Sequence, residues 1–401
     1  MPSYLERTGP IISIFKTRIP STSLFLNSLI CFTLGSISGF ASSSKERMQI
    51  ALENLKNHSF FSYLNVKYLF LTGFSLIFSL LFTIITNYIS GIQDMFLPNW
   101  TIYFCLTLAG GSFGYFIGYL NLRYGISIAI LILVFTLNIL FSGYLLPFNH
   151  LPKQIASQKY VPVFVEIFPT RWAYEALVVQ QAKDNGYQKR LFSTEQTISD
   201  LTFKTNILIP KLQEYIYEVR TNSVSLTKFV FISLIIKEIS SKYPDVFQFE
   251  FLEELSKKNI SSEILTELED YLRYVQFQLY EKLNEEIGKR NELRQNIKDS
   301  IGNENFTHYI NSIQNLTLMD YVSGKRTGKN YIENSVEILQ TDDPIYRLSD
   351  NNYGRAHFLA PQKLMNGYYY DTIYFNMFIL WLLTFLLYIL TLILRKKSLL
   401  E

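Results

Sequence analysis

Only two cysteines occur in 401 residues. That is too few for a disulfide framework or a four-thiolate zinc site. There are four histidines, no two of them spaced to bind a metal. Asp342-Asp343 and Glu253-Glu254 have no His or Cys neighbour at ligand spacing, so they read as solvated faces. No nucleophile–base arrangement is visible. Charge is scarce as well, at 18% of the chain, against about 25% in an ordinary soluble protein. The 37 basic and 34 acidic residues leave a formal charge of +3, so composition supports no nucleic-acid partner. The shortage is not that of a disordered chain, because 32 Phe and 28 Tyr are present.

The missing charge is concentrated in particular places. Five runs contain no Asp, Glu, Lys or Arg: Thr22–Ala41, Tyr68–Ile89, Trp100–Leu120, Gly125–Leu146 and Ile373–Leu394. About 20 helical residues cross the roughly 30 Å hydrocarbon core of a bilayer. Backbone polar groups there need internal partners, so uncharged runs of this length predict helices. With these runs set aside, the rest of the chain carries its charges at an ordinary soluble frequency. The expected fold is therefore mainly α: a polytopic α-helical membrane domain of five spans, with a mostly helical external domain inserted between the last two.

Basic residues set the expected orientation. Lys45, Arg47, Lys56 and Lys67 lie between the first two spans, Arg123 follows the third, and Arg395, Lys396 and Lys397 follow the fifth. The turn at 90–99 holds Asp94 and no basic residue. The positive-inside rule then places the first set and the C-terminus in the cytoplasm, and the Asp94 turn outside. It follows that the segment from about 147 to 372 is external. The expected organisation is an N-terminal external or interfacial segment (1–21) and a membrane domain (22–146). Outer-surface helices (147–190), an external helical domain (191–372) and the last span with its basic tail (373–401) follow. An odd span count leaves the N-terminus outside despite Arg7, Lys16 and Arg18, so the unit reads as one that starts a helix late.

Three motifs stand out in the membrane part. Gly110, Gly114 and Gly118 recur at four-residue steps, which lets a second helix approach closely, from this chain or another copy. In the 44–57 segment, Met48, Ala51, Leu52 and Leu55 form one apolar stripe, with Glu46, Arg47, Glu53 and Lys56 on the other faces. An interfacial helix on the inner leaflet and a cytoplasmic docking element both satisfy that pattern. Finally, Pro169-Thr-Arg-Trp-Ala-Tyr-Glu-Ala-Leu177 predicts a helix whose Trp172 and Tyr174 suit the outer membrane surface. On it Arg171 and Glu175 are four apart; a lone surface pair of this kind is worth about 0.3–0.5 kcal/mol.

These elements, in this order, resemble an ABC-2 type transporter permease. The order is a span, a Glu-rich cytoplasmic helix, three spans ending in Phe141-Ser-Gly-Tyr-Leu145, then the Arg171–Leu177 motif. More narrowly they resemble the G-subfamily, or white-type, half-transporters, over about residues 20–190 and 345–397. The Asn352-Tyr-Gly-Arg-Ala-His-Phe358 tail, which contains His357, is similar to bacterial members with a large external insertion. The resemblance implies that the 44–57 helix receives motion from an ATPase. It implies a cavity between two copies, walled by Asn27, Cys31, Leu34, Phe135, Thr136, Asn138 and Ile139 and closed by a plug of Tyr144 and Leu145. ATP and Mg would be bound by a partner nucleotide-binding domain and not by this chain. Gly324-Lys-Arg-Thr-Gly-Lys-Asn330 has the wrong spacing for a phosphate loop, and Asn replaces the Ser or Thr that would hold magnesium. The family's first membrane helix and its nucleotide-binding domain have no counterpart here.

In the segment read as external, Leu265, Leu268, Leu272, Val275 and Leu279 form a heptad stripe. An amphipathic helix inside its own domain and an intermolecular coiled coil both fit. The apolar stretch 226–239 carries Lys228, Lys237 and Glu238, so it reads as a core helix and not as a sixth span. The leading expectation is a permease subunit of an ATP-binding cassette exporter in the cell membrane. It would work as a dimer in the lipid bilayer, with the external domain capping the exit or handing cargo to an envelope partner; it is not expected to be an enzyme. The alternatives are a membrane-anchored binding or sensor protein, and a gene product completed by a missing part.

Overall fold

A computed structural model of the chain describes residues 20–45, 60–92, 94–120, 122–148, 151–152, 159–221, 232–237, 239–240, 249, 262–313, 316–324, 330–333 and 337–398. The chain divides into two compact units. One comprises Met1–Lys189, Thr307–Val322 and Leu348–Glu401; the other comprises Arg190–Phe306 and Ser323–Arg347.

The first unit is built from long apolar helices: α1 (Pro20–Lys45), α2 (Phe60–Ser90), α3 (Phe96–Tyr119) and α4 (Tyr124–Leu140). A fifth, α5 (Pro169–Lys183), follows them. Among the described residues, four helices are long and apolar enough to cross a membrane: Ser21–Lys45, Phe60–Ser90, Phe96–Tyr119 and, near the C-terminus, Thr372–Leu394. The run expected as a span at 125–146 is helical only over the 17 residues of α4, about 25 Å of helix. Its last part departs from the helix for local reasons. Gly143 takes φ +86°, and a Cβ there would meet the Phe358 ring at 2.5 Å. The Ser142 hydroxyl accepts the Tyr144 N–H at 3.3 Å, and Pro147 follows. Hence Phe141–Leu146 turns back toward α5 instead of completing a full-length span.

Helix α3 is the centre of this unit. It packs against α1, α2, α4 and α5, and against the C-terminal helix described below. Having no charged residue on any face, it suits burial on all sides.

In the second unit, α6 (Gln188–Phe203), a π-helical turn at Lys204–Leu208 and α7 (Ile209–Thr221) run on continuously. Pro210 has no N–H, so the carbonyl of Thr205 loses its helical donor. Gln276 supplies one from α8 (Ser262–Ile301), at 2.9 Å. Leu265, Leu268, Leu272, Val275, Leu279 and Leu283 of α8 are buried against Ile209, Leu212 and Ile216 of α7 and against Ile232, Ile235, Ile236 and Ile239. The heptad stripe is therefore covered within its own unit, which is the first of the two readings its spacing allowed. Helix α9 (Asn303–Ile313) spans the boundary at Phe306 and α10 (Leu316–Val322) belongs to the first unit, whereas the hairpin β1 (Tyr331–Glu333) and β2 (Ile338–Gln340) belongs to the second.

A second hairpin, β3 (Gln362–Met365) and β4 (Tyr368–Asp371), leads directly into α11 (Thr372–Ser398). Its two-residue turn is Asn366-Gly367, with φ of +52° and +82°. This is the conformation that matches the twist of paired strands and favours Asn-Gly. The segment read from sequence as mostly helical thus contains two antiparallel hairpins.

Candidate functional site

The helix carrying Arg171, Trp172 and Glu175 does not lie on a surface. Every residue of Thr170–Val179 is buried, as are Gln181 and Ala182. Helices α1, α3, α4, α10 and α11 enclose it. Trp172 donates from Nε1 to the Glu166 carbonyl at 2.7 Å, a protein partner in place of interfacial water.

Burial changes the chemistry of the Arg171–Glu175 pair. The two side chains are 3.2 Å apart and 2% and 0% exposed. Glu175 is also bound by Lys363 of β3, with Nζ 2.7 Å from its Oε2, and by Asn376 of α11, which donates to Oε2 at 3.0 Å. Its other oxygen accepts the Leu359 N–H at 3.2 Å. Asn376 Nδ2 also donates to the Trp172 carbonyl. The two cations flank the Trp172 ring, with Arg171 Cζ 3.9 Å and Lys363 Nζ 4.6 Å from its centre. One carboxylate thus ties α5, β3 and α11 together. Among the described residues, Arg171 Nε and Nη1 have no hydrogen-bond partner.

The electrostatics follow from this geometry. Burial pushes Glu175 up, but Arg171, Lys363 and the donated hydrogen bonds outweigh it and hold its carboxyl below the usual range. Burial lowers Lys363 to about 8; Glu175 opposes that fall and Arg171 adds to it. Burial lowers Arg171 too, against the pull of Glu175 and Glu166. Lys363, Asn376 and Glu166 were not singled out by sequence reasoning. Their partners lie nearly 200 residues away or have no charge pattern that would point to them.

A second buried contact joins α4 to α5. The Thr170 hydroxyl donates to Asn138 Oδ1 at 2.6 Å, and the Thr170 N–H reaches the same oxygen at 3.4 Å. A residue of α4 therefore serves the first turn of α5, whose own cap residue, Phe168, makes no side-chain cap bond.

The expected cavity residues separate into two groups. Asn27, Cys31 and Asn138 are buried inside the chain's own packing, with Asn27 donating to the Tyr103 hydroxyl at 3.2 Å. They are not surface that this chain offers to a cargo, because α1 turns that face toward α3 and α4 turns Asn138 toward α5. Leu34 and Thr136 are exposed, while Phe135 and Ile139 are half-buried. Leu34 belongs to a stripe with Leu26, Ile30 and Ile37, all more than 40% exposed. Leu145 is exposed; Tyr144 stacks on Phe25 with ring centres 4.7 Å apart, and its hydroxyl lies 2.5 Å from that of Thr22.

The glycine face of α3 meets α1 of the same chain. A Cβ on Gly110 would lie 2.3 Å from the Phe32 carbonyl oxygen, and one on Gly114 would lie 2.2 Å from that of Ser36. A Cβ on Gly118 would overlap the Ser43 hydroxyl. Glu46, Arg47, Glu53 and Lys56, like most of the 44–57 segment and residues 325–329 of the glycine-lysine motif, lie outside the described residues. Among the described residues, no three His, Cys, Asp or Glu side chains are grouped so as to hold a metal ion.

Comparison with curated proteins and with solved structures gives no match. Residues 7–181 match the family model described as ABC-2 type transporter, and that similarity supports a membrane-embedded permease component of an ABC transporter.

Proposed function

We propose that the chain is the permease subunit of a white-type ABC exporter. It works beside a second copy and is driven by a nucleotide-binding domain that binds ATP and Mg on a separate chain. Closure of that ATPase pushes on the 44–57 helix through Glu46, Arg47, Glu53 and Lys56. The cavity then alternates between inward- and outward-facing states, with Tyr144 and Leu145 at its outer end. The second unit lies outside the membrane and passes cargo to an envelope partner, while the C-terminus is cytoplasmic.

Besides the family match, one observation carries this reading. Helix α1 is covered by α3 along its Gly35 and Gly39 side, but its Leu26–Ile30–Leu34–Ile37 stripe is 41–53% exposed. Helix α4 is similarly bare, with only Ser127 and Asn138 buried. Two adjacent open apolar helices suit a paired copy across a lipophilic cavity. Phe135, Thr136, Ile139 and Leu34 would wall it.

The test is affinity purification from membranes combined with a Leu34→Cys variant. The native Cys31 and Cys105 are buried, so a bridging thiol reagent reports the new site. Co-purification of an ATPase together with a cross-linked dimer is the expected result. A monomer with no ATPase would instead favour the membrane-anchored sensor and overturn the exporter reading.

A further inference from the structure

We propose that the β3–β4 hairpin is a membrane-interface anchor, its exposed tyrosine row seated in the headgroup layer of the bilayer that α11 crosses. In the register of the hairpin, Met365 stands opposite Tyr368, and the isolated bridge to Tyr353 extends that row by one more strand. Cross-strand partners share a face, as do residues two apart, so Tyr353, Met365 and Tyr368 point the same way at the turn end of the hairpin, while further from the turn the same face carries Tyr370 and the buried Lys363. Tyr353 is 86% and Tyr368 71% exposed. On the other face Tyr369 is also exposed, at 47%, and its hydroxyl donates to the Ser349 carbonyl at 3.3 Å.

Three observations select lipid as the occupant. First, the hairpin is continuous with α11: β4 ends at Asp371 and the helix begins at Thr372. The 23-residue apolar part of that helix is about 35 Å long, slightly more than the roughly 30 Å hydrocarbon core. Its first turn therefore reaches headgroup depth, and the hairpin sits at that level. Second, the exposed aromatic residues of α11 continue the row into the membrane, with Tyr374, Phe378, Trp381 and Phe385 along one helical face. Third, both charges of the hairpin are paired, Lys363 buried on Glu175 and the partly exposed Asp371 on Lys183 at 2.5 Å. What remains exposed is aromatic body with a hydroxyl tip, the side-chain type that collects where hydrocarbon meets water.

The inference rests on α11 lying in a bilayer and not on transport, so an inactive exporter would leave it intact. The experiment places an environment-sensitive nitrobenzoxadiazole label on Tyr368→Cys in the full chain, reconstituted into phosphatidylcholine nanodiscs. A second reporter at Tyr353→Cys covers the case in which the first variant misfolds. Tyr274→Cys, exposed on α8 of the other unit, is the reference. The expected result is blue-shifted emission from the hairpin labels. Lipid carrying a doxyl group near the headgroup should quench them several-fold more strongly than lipid with the group near the chain end. Iodide should quench them several-fold less than it quenches the Tyr274→Cys label. Equal iodide quenching at all sites with no doxyl quenching would place the hairpin in water and overturn the proposal. Protection from both quenchers would mean a protein surface, such as a second copy, covers it, and would overturn it equally.

Discussion

Lys363 Nζ lies 2.7 Å from Glu175 Oε2, and neither side chain reaches solvent. Removing the anion leaves Lys363 and Arg171 buried together with no carboxylate between them. Breaking a buried pair in this way costs about 3–5 kcal/mol, so Glu175→Gln should sharply lower the thermal midpoint of the detergent-solubilised protein. Lys363→Met should be milder, because Arg171 and Asn376 still hold Glu175. Unfolding curves for the two variants and the double variant check the order. Equal losses from both single changes would show that Arg171 does not share the carboxylate.

The same pair gives a pH dependence of defined sign. Lys363 is depressed to about 8 in the folded chain from 10.5. Between those values the unfolded chain binds the extra proton and the folded chain does not, so stability rises with pH there. Wild type should gain on Lys363→Met as pH rises from about 8 toward 10.5, and lose that gain as pH falls through 8. Glu175, also depressed, acts at the acid end. Its contribution is present above its ordinary carboxyl value and is lost as pH falls through the lowered one. Thermal midpoints of wild type and Lys363→Met across this range would show a constant difference if Lys363 titrated normally.

The glycines of α3 are not equivalent. At Gly114 a new Cβ meets the Ser36 oxygen at 2.2 Å and the Phe40 nitrogen at 2.6 Å, both backbone atoms that cannot move without shifting α1. Overpacking of this kind costs about 1–3 kcal/mol, so Gly114→Ala and Gly110→Ala should reduce the folded, monodisperse fraction in detergent. At Gly111 the clash is with the Leu71 methyls, the free end of a side chain, and Ala should be tolerated better. Gly73→Ala and Gly125→Ala meet nothing within 4 Å and should leave yield unchanged or raised. Size-exclusion profiles of the five variants distinguish these outcomes.

Much of this fold was legible because membrane helices are written locally. A run without charge, such as Tyr68–Ile89, needs no distant partner to be read, and α2 covers it completely. The α8 stripe was equally visible at its seven-residue spacing, although spacing alone could not say which surface would cover it. The buried cluster was harder to see. Arg171 and Glu175 mark one helix, but nothing near them announces that Lys363 returns from 188 residues further on. Without that strand the pair looks like a surface ion pair. The β3–β4 hairpin did leave a signal, Asn366-Gly367 between Leu364-Met365 and Tyr368-Tyr369-Tyr370, which is the residue pair its turn requires. It was overridden by the helical character of the surrounding segment.

Asn138 offers the last test, because the family resemblance implies a cavity wall and its contacts give it another task. Its Oδ1 accepts from both the hydroxyl and the N–H of Thr170, and its Nδ2 donates to the Val134 carbonyl at 2.9 Å. Asn138→Leu keeps much of the volume but leaves the first turn of α5 without its acceptor. A buried donor left unpaired costs about 1–3 kcal/mol. Thr170→Val removes only the hydroxyl donor, so it should cost less. The double variant should cost clearly less than the sum of the two, since the hydroxyl contact can be lost only once. Additive losses in a double-mutant cycle on thermal unfolding would show that the two residues do not act as a pair. A cavity-wall role makes a different prediction: Asn138→Leu would change cargo selectivity with little loss of stability.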